Sequence, residues 1–486
     1  MVEIKFYNEV YAQILSDNPD LLVAIYEKFS FFIDNYQYMP AYNLRTFDGK
    51  IHLFNSKYNT LPKGLLPILI RHLKSENIEF TLDRRLIPDD LPFIDEFLSI
   101  KHKFPYIAHQ REILQRALTY SSGTIESPTG SGKSMIIFAL AAYFRKYHNL
   151  KVLITVPKID LVNQLAADFK KYDVHNILSN TVQKMHGKLS KDLAPETQVL
   201  IATIQTVNKM QPIFFNQFTV YIQDEVHHGD TKTSVKVINY LASSAKYRFG
   251  LTGTFKNSDI NNIKGGLNRL QVLGYFGYPI KVADTKDLID LDVLPPLKIC
   301  FYRLNHESQV FVDYRDEIEF LISCQKRNEM IIKITSALKG NTLILVDRVE
   351  HAKQLLSLMP DNTHKFIVTG EIFIGEAVDN DKTRFIEFIE SHENVLVVAT
   401  YGVFSTGISI NNLHNLIFAH PSKSNVRILQ SIGRALRKHP SKEYAYIIDL
   451  VDFFGYISYT MSHAKKRKEI YDNSKFNYVI IERDLK

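Results

Sequence analysis

Short, wholly apolar runs separated by helical patterns recur along most of this chain, and they restrict its fold more than any other feature. Between about residues 100 and 290, the strand candidates are 151–156, 199–203, 220–223 and 247–252. Buried strands that alternate with helices are typical of a parallel sheet covered by helices on both faces. We therefore predict an α/β domain in this part of the chain.

The alternation pauses at a double proline, Pro295-Pro296, and then begins again. The later strand candidates are 342–346, 365–368, 395–399, 416–419 and 444–448. These runs predict a second α/β domain, with the prolines as the linker. Because 486 residues correspond to about three domains of ~150 residues, residues 1–95 are expected to form a separate accessory region. The predicted domains are thus 1–95, 96–292 and 293–486.

Charge is distributed unevenly along the chain, although the net charge is only +7. Residues 45–74 carry six basic side chains and one acid, and residues 420–486 carry 13 basic and 7 acidic side chains. Two separate basic surfaces are typical of a protein that contacts a phosphate backbone. A polyanionic partner is therefore expected.

Targeting and metal-binding signals are weak. No apolar run approaches the ~20 residues that span a bilayer, and residues 1–11 lack the apolar segment of a signal peptide. We expect no membrane association and a cytoplasmic location, which includes the cytoplasm of a host cell. Cys300 and Cys324 lack the spacing of a zinc site and are expected to be reduced thiols.

A glycine-rich segment, Ser127-Pro-Thr-Gly-Ser-Gly-Lys-Ser134, follows a strand candidate and precedes an apolar helical run. This context is typical of a P-loop, in which backbone N–H groups and a helix N-terminus hold phosphates. Lys133 is expected to reach the β- and γ-phosphates of ATP, and Ser134 to bind Mg²⁺. The predicted nucleotide-binding residues here are Pro128, Thr129, Gly130, Ser131, Gly132, Lys133 and Ser134. A plain Gly/Ser turn is the alternative interpretation.

Asp224-Glu225-Val226-His227 follows the apolar run 220–223. A carboxylate at the end of a parallel strand faces a site at the carboxyl edge of its sheet. Asp224 is therefore expected to hold Mg²⁺, and Glu225 to orient or deprotonate the attacking water. His227 is either a coupling residue or a packed histidine.

These two segments resemble motifs I and II of the superfamily 2 helicases, in the Asp-Glu-x-His group. Further segments match that family in order: 155–164, 202–206, 251–254, 343–347, 399–407 and 430–437. The resemblance implies two RecA-like domains in tandem and an ATP-driven motor. It also implies backbone contacts by Pro157, Gln164, Thr203, Gln205, Thr206 and Thr400, and coupling by Thr252 and Thr254. Gly407 and Gln430 would contact the nucleotide.

Gln430-Ser-Ile-Gly-Arg-Ala-Leu-Arg437 resembles motif VI. On a helix, residues three apart share a face, so Arg434 and Arg437 are predicted to act together. Their guanidinium groups suit the charge of a transferring phosphoryl group, as arginine fingers that act on domain closure. A solvated helix face is the alternative. Upstream, His109-Gln110 resembles the glutamine motif, which implies that Gln110 contacts adenine.

A narrower resemblance, to the UvsW-type recombination helicases of large tailed phages, extends over nearly the whole chain. It is carried by segments 401–409, 432–439 and 475–479, and in the accessory region by 31–36 and 47–53. The resemblance implies unwinding and branch migration of forked or four-way DNA in recombination, repair or replication-fork remodelling. Segment 372–375 departs from the pattern and is interpreted as an insertion.

Two basic segments are candidate DNA contacts outside the motifs. In the accessory region, Arg45, Lys57 and Lys63 lie among aromatic residues, which either stack bases or form a small core. Lys465-Lys-Arg-Lys468 is interpreted either as a solvated helix end or as an auxiliary contact.

Three functions remain open at this point. The first is a branched-DNA helicase that acts as a monomer. The second is a general duplex translocase or an RNA helicase, since the motor motifs do not distinguish these substrates. The third is a nucleotide-gated clamp without turnover, against which the intact Lys133, Asp224, Glu225, Arg434 and Arg437 argue.

Overall fold

The computed structural model describes residues 1–33, 35–100, 104–178, 180–187, 189, 192–227, 231–253, 267–360, 364–370, 372–375, 380–404 and 410–485. The chain divides into two compact units. One consists of Met1–Ser127 with Gly132–Val282, and the other of Ala283–Lys486 with Pro128–Ser131.

The accessory region forms an α+β layer. Its elements are β1 (Val2–Phe6), β2 (Tyr11–Ser16), α1 (Pro19–Lys28), β3 (Ser30–Phe32), α2 (Pro40–Asn43), β4 (Lys50–His52), β5 (Thr60–Pro62), α3 (Leu66–Ser75) and β6 (Phe80–Leu82). The next helix, α4 (Ile94–Ser99), buries Phe97 and Leu98 in the core of the first α/β domain. Four strands pair in the order β5-β2-β1-β6, and β3 pairs with β4. The period of two along β1 buries Val2 and Ile4 against Leu69 and Leu73 of α3, which together form the core.

The accessory region packs against the first α/β domain through a buried arginine. The Arg248 guanidinium is almost fully buried, and it donates hydrogen bonds to the carbonyl oxygens of Glu9 (2.5 Å) and Tyr275 (2.8 Å). Val10 joins the core of the α/β domain, while Leu270 of that domain joins the accessory core. The two therefore share a continuous apolar interface.

The first α/β domain is built on a seven-stranded parallel sheet in the order β13-β7-β12-β11-β8-β10-β9. Its elements are α5 (Ala108–Tyr120), β7 (Ser122–Glu126), α6 (Lys133–His148), β8 (Val152–Val156), α7 (Ile159–Tyr172), β9 (Val182–Met185), β10 (Val199–Thr203), α8 (Ile204–Val207), α9 (Pro212–Phe215), β11 (Val220–Gln223), α10 (Thr231–Tyr240), β12 (Tyr247–Thr252), α11 (Leu267–Phe276) and β13 (Pro279–Lys281). The four predicted strands are confirmed.

Helices cover both faces of this sheet, as predicted. In β8, Ile154 packs in one core with Phe138 of α6, while the next residue toward the N-terminus, Leu153, faces the other core with Val237 of α10. Because both faces are buried, the strands are apolar throughout instead of alternating with polar residues.

The second α/β domain has an eight-stranded sheet in the order β17-β16-β18-β15-β19-β20-β14-β21. Its elements are α12 (Thr285–Asp290), β14 (Leu297–Asn305), α13 (Tyr314–Ser323), α14 (Gln325–Ser336), β15 (Asn341–Val346), α15 (Val349–Ser357), β16 (Lys365–Thr369), β17 (Ile372–Gly375), α16 (Lys382–Ser391), β18 (Leu396–Thr400), α17 (Tyr401–Phe404), β19 (Leu413–Phe418), α18 (Asn425–Ala435), β20 (Ala445–Phe453), α19 (Tyr459–Asn473) and β21 (Tyr478–Asp484). The predicted strands again appear, and the expected α/β class with an α+β accessory region is confirmed.

Segment 372–375, interpreted from the sequence as an insertion, forms the edge strand β17. It pairs antiparallel with β16, whereas the other described pairs of this sheet are parallel. Ile372 and Ile374 are exposed there. The segment therefore extends the sheet by a hairpin.

Buried ion pairs hold the second α/β domain together. Arg467 of α19 contacts Asp449 at 2.7 Å, and Arg327 of α14 contacts Asp452 at 2.8 Å, with His306 also 2.8 Å from Asp452. All five side chains are almost fully buried. Arg467 therefore belongs to the core, although the sequence places it in a run of basic residues. Lys465, Lys466 and Lys468 remain exposed.

Among the described residues, no helix is long and apolar enough to cross a bilayer. Both cysteines are free thiols, with Cys300 buried and Cys324 partly exposed.

Candidate nucleotide and nucleic-acid sites

The carboxyl edge of the first parallel sheet gathers most of the predicted site residues. The P-loop follows β7, Pro157 follows β8, Thr203 ends β10, Asp224 follows β11 and Thr252 ends β12. Backbone hydrogen bonds fix these ends to one another, from Ser127 N to Thr252 O and from Asp224 N to Thr155 O, both 2.9 Å. Parallel strands place their carboxyl ends at one edge, so segments distant in sequence meet there.

The P-loop has the backbone that the sequence predicts. Gly130 and Gly132 adopt φ values of +87° and +85°, which glycine tolerates without steric cost. A Cβ at Gly132 would lie 2.3 Å from Nε2 of Gln110, so a side chain there would displace the glutamine. Helix α6 begins at Lys133 and has 16 residues, so its positive N-terminal end lies at the loop.

The two polar side chains that end the P-loop already have protein contacts. Lys133 Nζ donates to the carbonyl oxygen of Ser127 at 3.1 Å, and Ser134 Oγ lies 3.0 Å from the hydroxyl of Tyr172. No pattern in the sequence points to Tyr172, because this residue ends α7 and meets Ser134 only through packing. Phosphate binding would require Lys133 to exchange a carbonyl partner for a charged one.

Asp224 and Glu225 form an acidic pair beside Lys133. Burial and the Glu225 carboxylate raise the pKa of Asp224 to about 7, while Lys133 acts to lower it. Glu225 adopts φ +50°, a left-handed conformation that costs a non-glycine residue about 1–3 kcal/mol. Strain and a destabilised charge at adjacent residues are typical of a functional site.

His227 joins the acidic segment to the end of β12. Its Nδ1 lies 2.6 Å from Thr252 Oγ1 and 3.3 Å from a carboxylate oxygen of Glu225. A side-chain connection thus links the strand end that carries Thr252 with the acid next to the P-loop. Both contacts are compatible with either interpretation of His227, so its coupling role stays a prediction.

Gln110 lies on α5 and is buried, at 6% exposure. Its Oε1 accepts a hydrogen bond from the backbone N–H of Ile107 at 3.2 Å, which caps the helix. Its Nε2 faces Gly132, as described above. The side chain is therefore held beside the P-loop.

The predicted backbone contacts of the first α/β domain differ in exposure. Gln164 and Gln205 are exposed and Pro157 is half-buried. Thr203 is buried, and its Oγ1 lies 2.7 Å from Thr206 Oγ1. The two glutamines thus lie open to solvent, whereas Thr203 contacts Thr206 inside the domain.

In the second α/β domain, Thr400 ends β18 and Gln430 is buried within α18. Arg434 also lies on α18, but the helix ends at Ala435, so Arg437 lies beyond it. Arg437 Nη1 contacts Asn411 Oδ1 at 3.4 Å. The prediction that one helix face carries both arginines is therefore wrong, because the helix is capped at Leu436 before the next turn is complete.

In the accessory region, Arg45 and Lys57 are exposed but Lys63 is not an equivalent cation. Lys63 Nζ lies 3.4 Å from a Glu9 carboxylate oxygen and 4.9 Å from the centre of the Phe6 ring. Burial and the neighbouring Arg248 lower the pKa of Lys63 to about 8. Lys63 therefore stabilises the packing of the accessory region, a role that its place in a basic segment concealed.

Two predicted residues, Thr254 and Gly407, lie outside the described residues.

Family models match two parts of the chain. The model described as DNA helicase UvsW, N-terminal, matches residues 1–83, and that of the type III restriction enzyme, res subunit, matches residues 103–257. The first covers the accessory region and the second covers the P-loop and the acidic segment.

Similar structures extend over the whole chain. The crystal structure of T4 UvsW aligns with 100% of both chains, at 27% identity and a TM-score of 0.52. A fragment of a putative HsdR subunit of a type I restriction enzyme from Vibrio vulnificus aligns with a TM-score of 0.60 over 90% of this chain and 87% of that one. Its 16% identity shows the fold alone.

Two phage helicases are similar in sequence. Probable helicase D10 of Escherichia phage T5 is 26% identical and covers 85% of each chain. The ATP-dependent DNA helicase uvsW of Enterobacteria phage T4 is 30% identical over 488 residues, which covers 93% of each chain. With that similarity over nearly their full lengths, this chain belongs to the UvsW family of ATP-dependent DNA helicases of superfamily 2.

Proposed function

We propose that this helicase uses ATP hydrolysis to unwind and branch-migrate forked or four-way DNA. The observation that carries this proposal is the packing of the accessory region on the first α/β domain through Arg248 and Glu9. Because the interface is buried and apolar, a DNA arm held by the accessory region would stay at a fixed position relative to β12. A motor that grips a second arm at a fixed position moves a junction instead of sliding along one duplex.

The P-loop supplies the phosphate site in this proposal. Backbone N–H groups and the N-terminus of α6 bind the phosphate oxygens, and Lys133 bridges to the β- and γ-phosphates. Gln110, beside Gly132, contacts the adenine. Glu225, strained and next to Asp224, orients and deprotonates the attacking water. Gln430, Gly407, Arg434 and Arg437 are proposed to contact the nucleotide, the arginines on its γ-phosphate.

The residues present fit a magnesium ion. Asp224 is a carboxylate that burial and Glu225 keep from ionising readily, and a divalent cation would compensate its charge. Ser134 and Asp224 would hold the ion, because a hydroxyl and a carboxylate are oxygen ligands of the kind that Mg²⁺ prefers. When bound, the ion neutralises charge that develops on the phosphate oxygens.

Coupling between hydrolysis and strand movement is proposed to run through His227, Thr252 and Thr254. The first two are hydrogen-bonded at the strand ends that carry the acidic pair. Pro157, Gln164, Thr203, Gln205, Thr206 and Thr400 are proposed to contact the nucleic-acid backbone. In the accessory region the exposed Arg45 and Lys57 contact duplex phosphates, and Lys63 is withdrawn from that role.

The enzyme is proposed to act as a monomer in a host-cell cytoplasm, on DNA in preference to RNA. The measurement that tests this is steady-state ATP hydrolysis with single-stranded DNA, plain duplex, a fork, a four-way junction and RNA. Lys133→Ala serves as the blank. Forks and junctions are expected to stimulate most, and junction conversion should be visible on a gel. Equal stimulation by plain duplex would indicate a general translocase. Stronger stimulation by RNA would indicate an RNA helicase. If no nucleic acid stimulates hydrolysis, the protein is a clamp without turnover.

A further inference from the structure

A polar cavity of about 530 Å³ lies in the second α/β domain, apart from the residues assigned above. It is bordered by the carboxyl ends of β15 and β19 and by the first turns of α18 and α19. Its lining includes Tyr314, Asp347, Lys423, Arg427, Tyr459 and His463. We propose that this cavity binds one nucleotide unit of an unpaired DNA strand, an inference that rests on the proposed function.

Buried donors fix the loop that forms the floor of the cavity. Arg327 Nη2 donates to Ala419 O (2.7 Å), Tyr401 OH donates to His420 O (3.0 Å), and Arg467 Nη1 donates to Ser422 O (3.2 Å). Three carbonyl oxygens of one short loop are thus occupied from inside the domain. The loop is therefore held in one conformation. Because its carbonyl oxygens already accept hydrogen bonds, they are not directed at an anion in the cavity.

The charges of the lining favour an anion. Lys423 is exposed, and Arg427 lies 3.9 Å from Asp347, the one carboxylate in the lining. Asp347 is also 4.0 Å from His420, whose pKa burial lowers to about 4, so that this imidazole is neutral near pH 7. Two permanent cations and one acid leave a net positive cavity, next to the N-terminus of the 11-residue helix α18.

A buried polar atom in the lining also lacks a partner within the part of the chain that the structure describes. Nδ1 of His463 is buried and makes no hydrogen bond of ordinary geometry, although the ring lies beside the Pro421 carbonyl and its centroid is 5.1 Å from that of Tyr314. Buried polar atoms in proteins are nearly always satisfied by protein, water or ligand. An occupant with hydrogen-bonding groups would satisfy it.

Tyrosine rings distinguish a nucleotide from a simple anion. Tyr314 and Tyr459 line the cavity yet remain 36% and 44% exposed. The Tyr459 hydroxyl donates a hydrogen bond to the carbonyl oxygen of Val312. Val312 and Val310 are themselves exposed, so apolar side chains lie at the rim of the cavity. Exposed rings beside cations are the combination that binds single strands, with bases stacked on aromatics and phosphates held by cations. In an intact duplex the bases are stacked on one another, so these rings select an unpaired strand.

The experiment measures binding of an oligothymidine to the full-length protein without nucleotide, by fluorescence anisotropy at several salt concentrations. Tyr459→Ala is expected to weaken binding about tenfold, and Tyr459→Trp to restore it, because stacking needs a ring. Lys423→Gln should lower the slope of log affinity against log salt by about 0.7, the value for one phosphate contact of a single strand. Unchanged affinity in Tyr459→Ala would overturn the inference.

Matched controls lie at the opposite edge of the same sheet. Tyr444 is 39% exposed, and Lys298 lies over its ring at 3.6 Å, at the amino ends of β20 and β14. Tyr444→Ala and Lys298→Gln should bind the oligonucleotide within twofold of wild type. An equal loss in these controls would mean a general effect of surface charge or stability, and would overturn the assignment.

A crosslink locates the base directly. An oligonucleotide with 5-iodouracil should crosslink on irradiation to Tyr459 or Tyr314, as identified by peptide mass spectrometry. Crosslinks confined to other residues would contradict the inference. Its failure is distinguishable from failure of the proposed function, because junction-stimulated ATP hydrolysis by wild type tests the latter without any variant of this cavity.

Discussion

Each of the two α/β domains holds acidic side chains at its sheet, half-buried in the first domain and buried in the second, yet the two domains compensate these charges differently. In the second, Asp449 and Asp452 each have a buried arginine within 2.8 Å, and Arg327 and His306 keep the pKa of Asp452 well below its usual range. In the first, Asp224 lies beside another carboxylate, and its pKa is raised to about 7. An acidic side chain that is paired with a buried arginine stabilises the domain. An acidic side chain without such a partner can instead bind a cation that arrives with the substrate.

The largest expected effect is on catalysis in the first domain. Glu225→Gln should lower kcat for DNA-stimulated ATP hydrolysis by about 10²–10⁴, because the amide accepts no proton from water. ATP binding, measured by equilibrium titration, should persist. Glu469→Gln, which removes an exposed acid of α19, is the control and should leave kcat unchanged. Wild-type turnover in Glu225→Gln would remove this residue from its proposed role.

The next effect concerns the compensated pairs. Arg467→Met should destabilise the protein by about 3–5 kcal/mol, since it leaves Asp449 buried without its cation. Thermal unfolding followed by calorimetry gives the difference. Lys468→Met, on the same helix but exposed and paired with Asp472, should leave the melting temperature close to that of wild type. Equal melting shifts for the two variants would contradict the distinction.

The two kinds of acid should respond to pH with opposite sign. Asp224 has a raised pKa, so the folded protein retains its proton up to about pH 7 and loses stability as pH rises from 4 to 7. The free energy of unfolding of Asp224→Asn should therefore exceed that of wild type by about 1–4 kcal/mol at pH 8, and the two should be equal at pH 4. Asp452, with its lowered pKa, contributes stability that is lost as pH falls below about 4. Melting without Mg²⁺ from pH 3 to 8 checks both signs, and a pH-independent difference for Asp224→Asn would contradict the first.

The smallest effect extends the distinction to lysines of the accessory region. Lys57 is exposed, whereas Lys63 is paired with Glu9. Lys57→Gln should reduce the slope of log fork affinity against log salt by about 0.9, the value for one duplex phosphate contact. Lys63→Gln should leave that slope unchanged and lower the melting temperature slightly. A lower slope in Lys63→Gln and an unchanged slope in Lys57→Gln would show that Lys63, and not Lys57, contacts the DNA.

The sequence was sufficient for most of the architecture, because strands buried on both faces are apolar throughout and stand out from amphipathic helices. It located the P-loop and the acidic segment for the same reason, since each follows such a strand. It was insufficient where a partner is distant along the chain. Tyr172 meets Ser134, and Arg248 meets Glu9, only after the chain has folded.

Charge was the least reliable guide. A lysine or arginine in a basic segment looks the same in the sequence whether its side chain is exposed to solvent or paired with an acidic residue. Lys63 and Arg467 both lie in such runs, and both have acidic partners far away in sequence. The end of α18 at Ala435 was also missed, because Leu436 and Arg437 are both compatible with a helix and capping by tertiary context decides the boundary.

The shared interface around Val10 and Leu270 has a practical meaning for protein engineering. A shortened chain that begins after residue 95 would lose the apolar side chains that pack with Leu270, and would leave Arg248 without the Glu9 carbonyl. Such a fragment should precipitate unless those positions are made polar. The accessory region is therefore not a detachable module. To fuse it to another motor domain, the residues of the first α/β domain that pack against it would have to be transferred as well.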